Sequence, residues 1–265
     1  MDLQLDGKRA IVTGGSKGIG KAVARTLAAE GCDVVVAART ADALEATARE
    51  LASTTGRRVV PITVDTGDDE SVRAMVSAAV DALGGVDILV NSAARPLGQA
   101  APPKLADVTG ALFFDDMNVK VLGYLRCAQA VAPGMIAQGW GRIINVSGLG
   151  ARSTGAVIGS MRNVAVAAMT KNLADELGPH GVNVTVVHPG LTRTEATPGV
   201  VARLAAAQGI TEDEAERNLG RNVIRRIVEA EEVADVVAFL ASPRSAAITG
   251  DAVACGGGTP GAIYY

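Results

Sequence analysis

Short Val/Ile-rich runs alternate along the chain with longer stretches in which apolar residues recur at three- and four-residue steps. Unbroken apolar runs suit strands buried on both faces, and the longer period suits helices with one buried stripe. The strand candidates are 9–13, 33–37, 59–64, 86–91, 142–146, 182–187 and 252–255. Between them, Val23 and Leu27; Leu44, Ala48 and Leu51; Val72, Val76, Ala79 and Leu83; and Val166, Met169, Leu173 and Leu177 mark helix stripes. Gly31 and Gly178 stand where a left-handed helix cap is cheap for glycine. This order predicts an α/β fold, a doubly wound parallel sheet of about seven strands with helices on both faces.

Residues 193–222 break the rhythm. A loop is followed by Thr211-Glu-Asp-Glu214, a capping-box signal for a short helix, and an amphipathic helix resumes near 231–240. An insertion after the sixth strand falls at the carboxyl edge of the sheet, where open α/β folds take their ligands. It is expected to be a substrate lid, with a solvated surface excursion as the alternative. No repeat or Pro-rich linker divides the chain, so 1–265 is expected to be a single domain.

Composition narrows the function classes. The 265 residues are 48% apolar and 20% charged with a net charge of −3, and they hold no Lys/Arg run, so the electrostatic footprint of a nucleic-acid binder is missing. Cys32, Cys127 and Cys255 are far apart and outside any CxxC or Cys/His cluster, which argues against disulfides and metal sites. A reducing cytoplasm is the expected location. No apolar run reaches the roughly 20 residues of a membrane span, and the start of the chain lacks the apolar core of a signal peptide.

Thr13-Gly-Gly-Ser-Lys-Gly-Ile-Gly20 stands between the first strand and the first helix. Glycines there let the backbone turn sharply and approach a pyrophosphate, and the helix start presents free N–H groups to it. With this turn the chain resembles the short-chain dehydrogenase/reductases, NAD(P)-dependent oxidoreductases with one Rossmann-like domain. Further likenesses are Asp65 after the third strand, Asn91-Ser-Ala-Ala94, Pro189-Gly190 with Thr192 and Thr194, and Thr249-Gly-Asp-Ala-Val-Ala-Cys-Gly-Gly257. The resemblance implies a cofactor site made by Gly14, Ser16, Lys17, Gly18, Ile19, Gly20, Arg39, Asp65, Thr66, Asn91, Ala93, Pro189, Gly190 and Thr192. NAD enzymes place a carboxylate at the end of the second strand, where this chain has Ala38 followed by Arg39. Arg39 and Lys17 can donate to a 2′-phosphate, so NADP (NADPH) is favoured over NAD.

The family's chemistry resembles a proton relay of tyrosine, a lysine four residues later, a serine, and an asparagine on the preceding long helix. Aligned on Met169-Thr-Lys171, the tyrosine position holds Gly159 and the lysine position Asn163. Gly148 stands in the serine position beside Ser147, and the asparagine position falls on Lys120, with Asn118 two residues earlier. The catalytic candidates are therefore Lys120, Ser147, Arg162 and Asn163. A desolvated Lys120 has a lowered pKa and can serve as acid or base, with the Asn163 carboxamide as its partner, whereas Arg162 suits oxyanion stabilisation. His188, before Pro189-Gly190, titrates near neutrality or holds the turn.

Three readings follow: an oxidoreductase on a carbonyl/alcohol substrate by an atypical mechanism, a non-redox enzyme on the same fold, and a catalytically silent dinucleotide-binding protein. The expected partners are a small-molecule substrate and further copies of the chain, as a homodimer or homotetramer. Small residues Val164-Ala-Val-Ala-Ala168 and the uncharged tail Gly261-Ala-Ile-Tyr-Tyr265 are the expected contacts. Nucleic acid, membrane and metal are not expected.

Overall fold

The structure, a computed structural model, describes residues 1–94 and 103–263. The chain runs β1 (Arg9–Thr13), α1 (Gly18–Ala29), β2 (Asp33–Ala38), α2 (Ala41–Thr55), β3 (Val59–Thr63), α3 (Asp69–Leu83), β4 (Ile88–Asn91), α4 (Gly110–Met117), α5 (Gly123–Gln138) and β5 (Gly141–Val146). It continues through α6 (Val157–Leu177), β6 (Val182–Pro189), β7 (Thr192–Arg193), α7 (Thr197–Gln208), α8 (Glu212–Leu219), β8 (Val228–Glu229), α9 (Ala230–Ala241) and β9 (Ala252–Cys255). Seven strands form one parallel sheet in the order β3-β2-β1-β4-β5-β6-β9. The expected doubly wound architecture is the one observed.

Strand order reverses between β1 and β4, which opens a crevice beyond their carboxyl ends. The sheet is dry on both faces, as its apolar runs require. Val12, Val34, Val36 and Val90 pack under α1, α2 and α9, while their neighbours Ile11, Val35 and Leu89 pack with α3, α5 and α6 on the other face. Each such side chain contributes roughly 1.5–3 kcal/mol on burial.

Local signals start and stop the helices. The Asp68 side chain accepts from Ser71 N at 2.7 Å to start α3, and Thr109 accepts from Leu112 N at 3.2 Å to start α4. The expected left-handed cap at Gly178 is not formed, because φ there is −56° and Pro179 carries the chain into a further tight turn. The reversal comes at Gly181, φ +80°. Between α4 and α5 the helix widens into a π turn over Asn118–Leu122, which carries Lys120 inward.

The segment after β6 is more ordered than its sequence indicates. Strands β7 and β8 form a separate parallel pair, and α7 precedes the expected capping-box helix α8, in which Thr211 and Glu214 cap reciprocally. Helices α7 and α8 bury Val201, Ala205 and Ala215 against each other. Thr197-Pro198 at the start of α7 is a helix-opening signal in the sequence, since proline fits the first turn. The two-residue strands carry no periodicity to find.

Candidate functional site

The site lies along the carboxyl ends of β1, β2, β4, β5 and β6, and its cofactor end is built from backbone. Gly14 N donates to Ala37 O at 2.7 Å. Thr13 Oγ1 accepts from Ser92 N at 3.1 Å and Ala93 N at 3.3 Å, which pins the loop after β4 to the end of β1. A Cβ on Gly14, where φ is +70°, would stand 2.9 Å from the Ser92 carbonyl carbon. One on Gly20 would stand 2.3 Å from the Gly14 oxygen. The first turn of α1 therefore meets the loop at a distance that no side chain permits, the fit a dinucleotide pyrophosphate needs.

Other residues of the predicted cofactor set take several places. Lys17 and Arg39 are exposed at the mouth of the crevice, and Ala38 is the last residue of β2. Ser16 O accepts from Thr47 Oγ1 at 3.3 Å, and Ile19 packs against the core. Gly18 N donates to Glu195 Oε2 at 3.0 Å, a link across the molecule with no signal in the sequence. Asp65 Oδ1 accepts from Gly67 N at 2.9 Å, while Thr66 is buried and donates to Val119 O at 3.1 Å. Pro189 ends β6 under cover. A Cβ on Gly190 would lie 2.9 Å from Gly256 Cα, and Thr192 Oγ1 donates to Gly190 O at 3.1 Å.

Asn91 departs from its expected place at the cofactor. Its side chain is fully buried and points into the fold, where Nδ2 donates to Asn145 Oδ1 at 2.9 Å. Asn145 Nδ2 donates in turn to Thr170 Oγ1 at 2.9 Å. This chain of polar contacts ties β4 through β5 to α6. The backbone of Asn91, not its carboxamide, remains at the crevice.

The other end of the site is built from side chains. Lys120 is 4% exposed, and Nζ donates to Ser147 O at 3.0 Å and to Asn163 Oδ1 at 3.3 Å. Burial first, and the Arg162 charge second, push its pKa from 10.5 down to about 7, against the pull of Asp116. Ser147 Oγ has its one hydrogen to share between Asn163 O at 3.1 Å and Oδ1 at 3.3 Å. Asn163 Nδ2 has no acceptor among the described residues, and it lies 3.2 Å and 3.0 Å from where Cβ atoms on Gly148 and Gly150 would stand. A Cβ on Gly159 would meet only Ala156 Cβ, at 3.2 Å.

Of the two residues weighed on the preceding helix, only Lys120 joins this cluster. Asn118 Nδ2 donates to Gly67 O at 3.0 Å instead. Arg162 is 1% exposed and its NH1 holds both oxygens of Asp116, at 2.7 and 2.8 Å, so the guanidinium is engaged inside the fold rather than presented to a substrate oxygen. His188 is also buried. Desolvation, then the charges of Arg152 and Lys120, lower its pKa to about 4, so the ring is neutral at pH 7 and Nδ1 has no partner among the described residues.

Sequence reasoning missed Asp116 and the role of Tyr124, whose hydroxyl donates to Val146 O at 2.9 Å and is held above its ordinary pKa by burial. Asp116 stands four residues before Lys120, a same-face spacing legible in the sequence. Among the described residues there is no cluster of His, Cys, Asp and Glu able to hold a metal, and no helix is long and apolar enough to cross a membrane.

The family described as enoyl-(acyl carrier protein) reductase matches residues 14–259. The short-chain reductase protein NovJ of Streptomyces niveus is 37% identical over 253 residues, 95% of this chain and 93% of that protein. The 3-oxoacyl-[acyl-carrier-protein] reductase FabG of Vibrio cholerae is 32% identical over 266 residues, 97% of this chain and 98% of that protein. Among solved structures, L-sorbose reductase from Gluconobacter frateurii, complexed with NADPH and L-sorbose, superposes with a TM-score of 0.93 at 30% identity, covering 99% of this chain and all of that one.

Proposed function

The chain belongs to the short-chain dehydrogenase/reductase family, and on that premise we propose that it is an NADP(H)-dependent oxidoreductase of a small or medium carbonyl/alcohol substrate in which Lys120, not a tyrosine, handles the proton. The glycines at 14 and 20 and the start of α1 hold the pyrophosphate, and Arg39 with Lys17 meets the 2′-phosphate. The nicotinamide, when bound, supplies or accepts the hydride. Asn163 Nδ2, which has no acceptor among the described residues, donates to the carbonyl oxygen of the substrate. Lys120 gives up a proton as that oxygen becomes a hydroxyl and takes one back in the reverse direction. Residues 193–222 close over the substrate.

The observation that carries this reading is the buried hydrogen bond from Lys120 Nζ to Asn163 Oδ1. It brings an amine and a carboxamide together beside β5, in the two positions where the family resemblance implies asparagine and lysine in the opposite order. The surface supports association of copies into a homodimer or homotetramer, since Met161 and Val164 of α6 and Ile136 of α5 are exposed apolar residues. Ile263 is exposed too, and the tail residues Tyr264 and Tyr265 lie outside the described residues.

The test is an NADPH fluorescence titration followed by single-turnover oxidation against a panel of carbonyl compounds. Tight binding with hydride loss to one compound class is expected. Tight binding with no hydride loss to any of them would return the chain to the non-redox or silent readings.

A further inference from the structure

The Arg162–Asp116 ion pair lies between the helices that carry the two partners of the Lys120–Asn163 hydrogen bond. Arg162 immediately precedes Asn163 on α6, and Asp116 sits one turn before Lys120, at the end of α4 where the π turn begins. The guanidinium is 1% exposed and its NH1 binds both Asp116 oxygens. A contact so placed fixes the π turn against α6, and with it the reach of Lys120 to Asn163. It also sets two opposite charges beside one buried ammonium, Arg162 buried and Asp116 partly so, where charges act more strongly than in open water.

Each element around Lys120 contributes a group. From α5 comes Tyr124, whose ring lies 5.9 Å from Nζ and whose hydroxyl is held by Val146 O. From β6 comes His188, neutral above about pH 4. The loop after β5 offers the Ser147 carbonyl, and α6 the neutral Asn163. The groups whose charges act on Lys120 are Arg162, which disfavours its ammonium, and Asp116, which favours it.

We infer that Arg162 and Asp116 are a positioning pair for Lys120, fixing the π turn against α6 so that Lys120 reaches Asn163. This rests on the reading of Lys120 as the proton-handling group. It assigns Arg162 no contact with substrate. Removing one member shifts Lys120 in the direction set by the charge that remains, so the two single variants must move it in opposite directions. A pair too distant or too screened to act on the ammonium would leave it in place in both variants.

The experiment is an NMR titration of the protein labelled with carbon-13 at lysine Cε, in complex with NADP(H), with the Lys120 signal identified by its loss in Lys120→Met. Asp116→Asn should lower the Lys120 midpoint by about one pH unit or more, and Arg162→Gln should raise it by a similar amount. The double variant should fall between them, and Arg162→Lys should stay near the starting value. Midpoints that stay put, or move together in both single variants, would overturn the inference. If one single variant does not fold, the other is compared with the double variant, and a shift of the wrong sign overturns it as well. The pH profile of kcat for carbonyl reduction separates this inference from the reading beneath it. Midpoints that move apart while the profile stays fixed support the pair and remove Lys120 as the proton donor. Profiles that move with the midpoints support both.

Discussion

The turns after β1 and β5 open on the same crevice, yet one is made by removing side chains and the other by bringing them in. After β1, the determinants are glycines at 14 and 20, where an added Cβ would strike backbone at 2.9 and 2.3 Å. The turn is shaped by its own backbone, with a long-range link from Gly18 N to Glu195 Oε2 at 3.0 Å. Around β5, the determinants are Lys120, Ser147 and Asn163, from three different elements, and a partly buried ion pair stands behind them. The first end tolerates almost no change in residue type, while the second can exchange residues provided that the groups still meet. Under the proposed reading, that difference is what lets a chain keep a glycine turn at one end while the residues at the other end change.

The strongest way to break the comparison is Lys120→Met, which keeps the length of the side chain and removes its charge. Turnover should fall by about 10²–10⁴-fold, the usual loss with a general acid, while NADPH binding stays within a factor of about two. Loss of both would mean that the two ends are not separable. Unchanged turnover would leave Lys120 as an interior residue without chemistry.

The same side chain gives a test on stability alone. In the unfolded chain Lys120 binds its proton up to about pH 10.5, and in the folded chain only to about pH 7. Between these values the unfolded state holds more protons, so this group makes stability rise with pH by up to about 1.4 kcal/mol per unit. Below pH 7 the cost of the buried charge is carried in full. Lys120→Met should therefore be stabilised relative to the unaltered protein at pH 6, with the gain shrinking as pH rises from 7 to 10.5. Urea unfolding at several pH values reads it, and a gain independent of pH would place the amine in water.

At the cofactor end, Arg39→Ala should weaken NADPH by about 1.5–3 kcal/mol, the range for charge-assisted hydrogen bonds, and leave NADH nearly unaffected. Fluorescence titration with both nucleotides measures the difference. Equal losses would show that Arg39 does not meet the 2′-phosphate, and Ala38 alone would then leave the cofactors undistinguished.

The contrast between the two ends also decides what was readable in advance. The parallel sheet was legible because strands buried on both faces read as unbroken apolar runs, and the glycine turn because local backbone geometry leaves its mark in adjacent residues. Lys120 and Asn163 could be placed in register. Arg162 could not be aimed, since its partner Asp116 lies 46 positions earlier and meets it only through the packing of α4 on α6. The inward turn of the Asn91 carboxamide is hidden for the same reason, because its acceptor Asn145 is 54 positions away. Short-range signals gave elements and turns, and long-range side-chain pairing was visible only in the fold.

The smallest expected effect concerns Ser147, which the resemblance puts beside the family's catalytic serine. Its hydroxyl is turned toward Asn163, at 3.1 Å from the backbone oxygen and 3.3 Å from Oδ1, the same oxygen that receives Lys120. A hydroxyl so engaged steadies the carboxamide rather than meeting substrate. Ser147→Ala should then remove one neutral hydrogen bond, worth about 0.5–1.5 kcal/mol, and lower kcat by roughly 2–13-fold with KM for NADPH unchanged. Asn163 retains Lys120 as a partner in that variant, so its Nδ2 still faces Gly148 and Gly150. A loss of 10²-fold or more in kcat would instead place Ser147 on the substrate, and the reaction end would then resemble the ordinary family arrangement more closely than its other residues do.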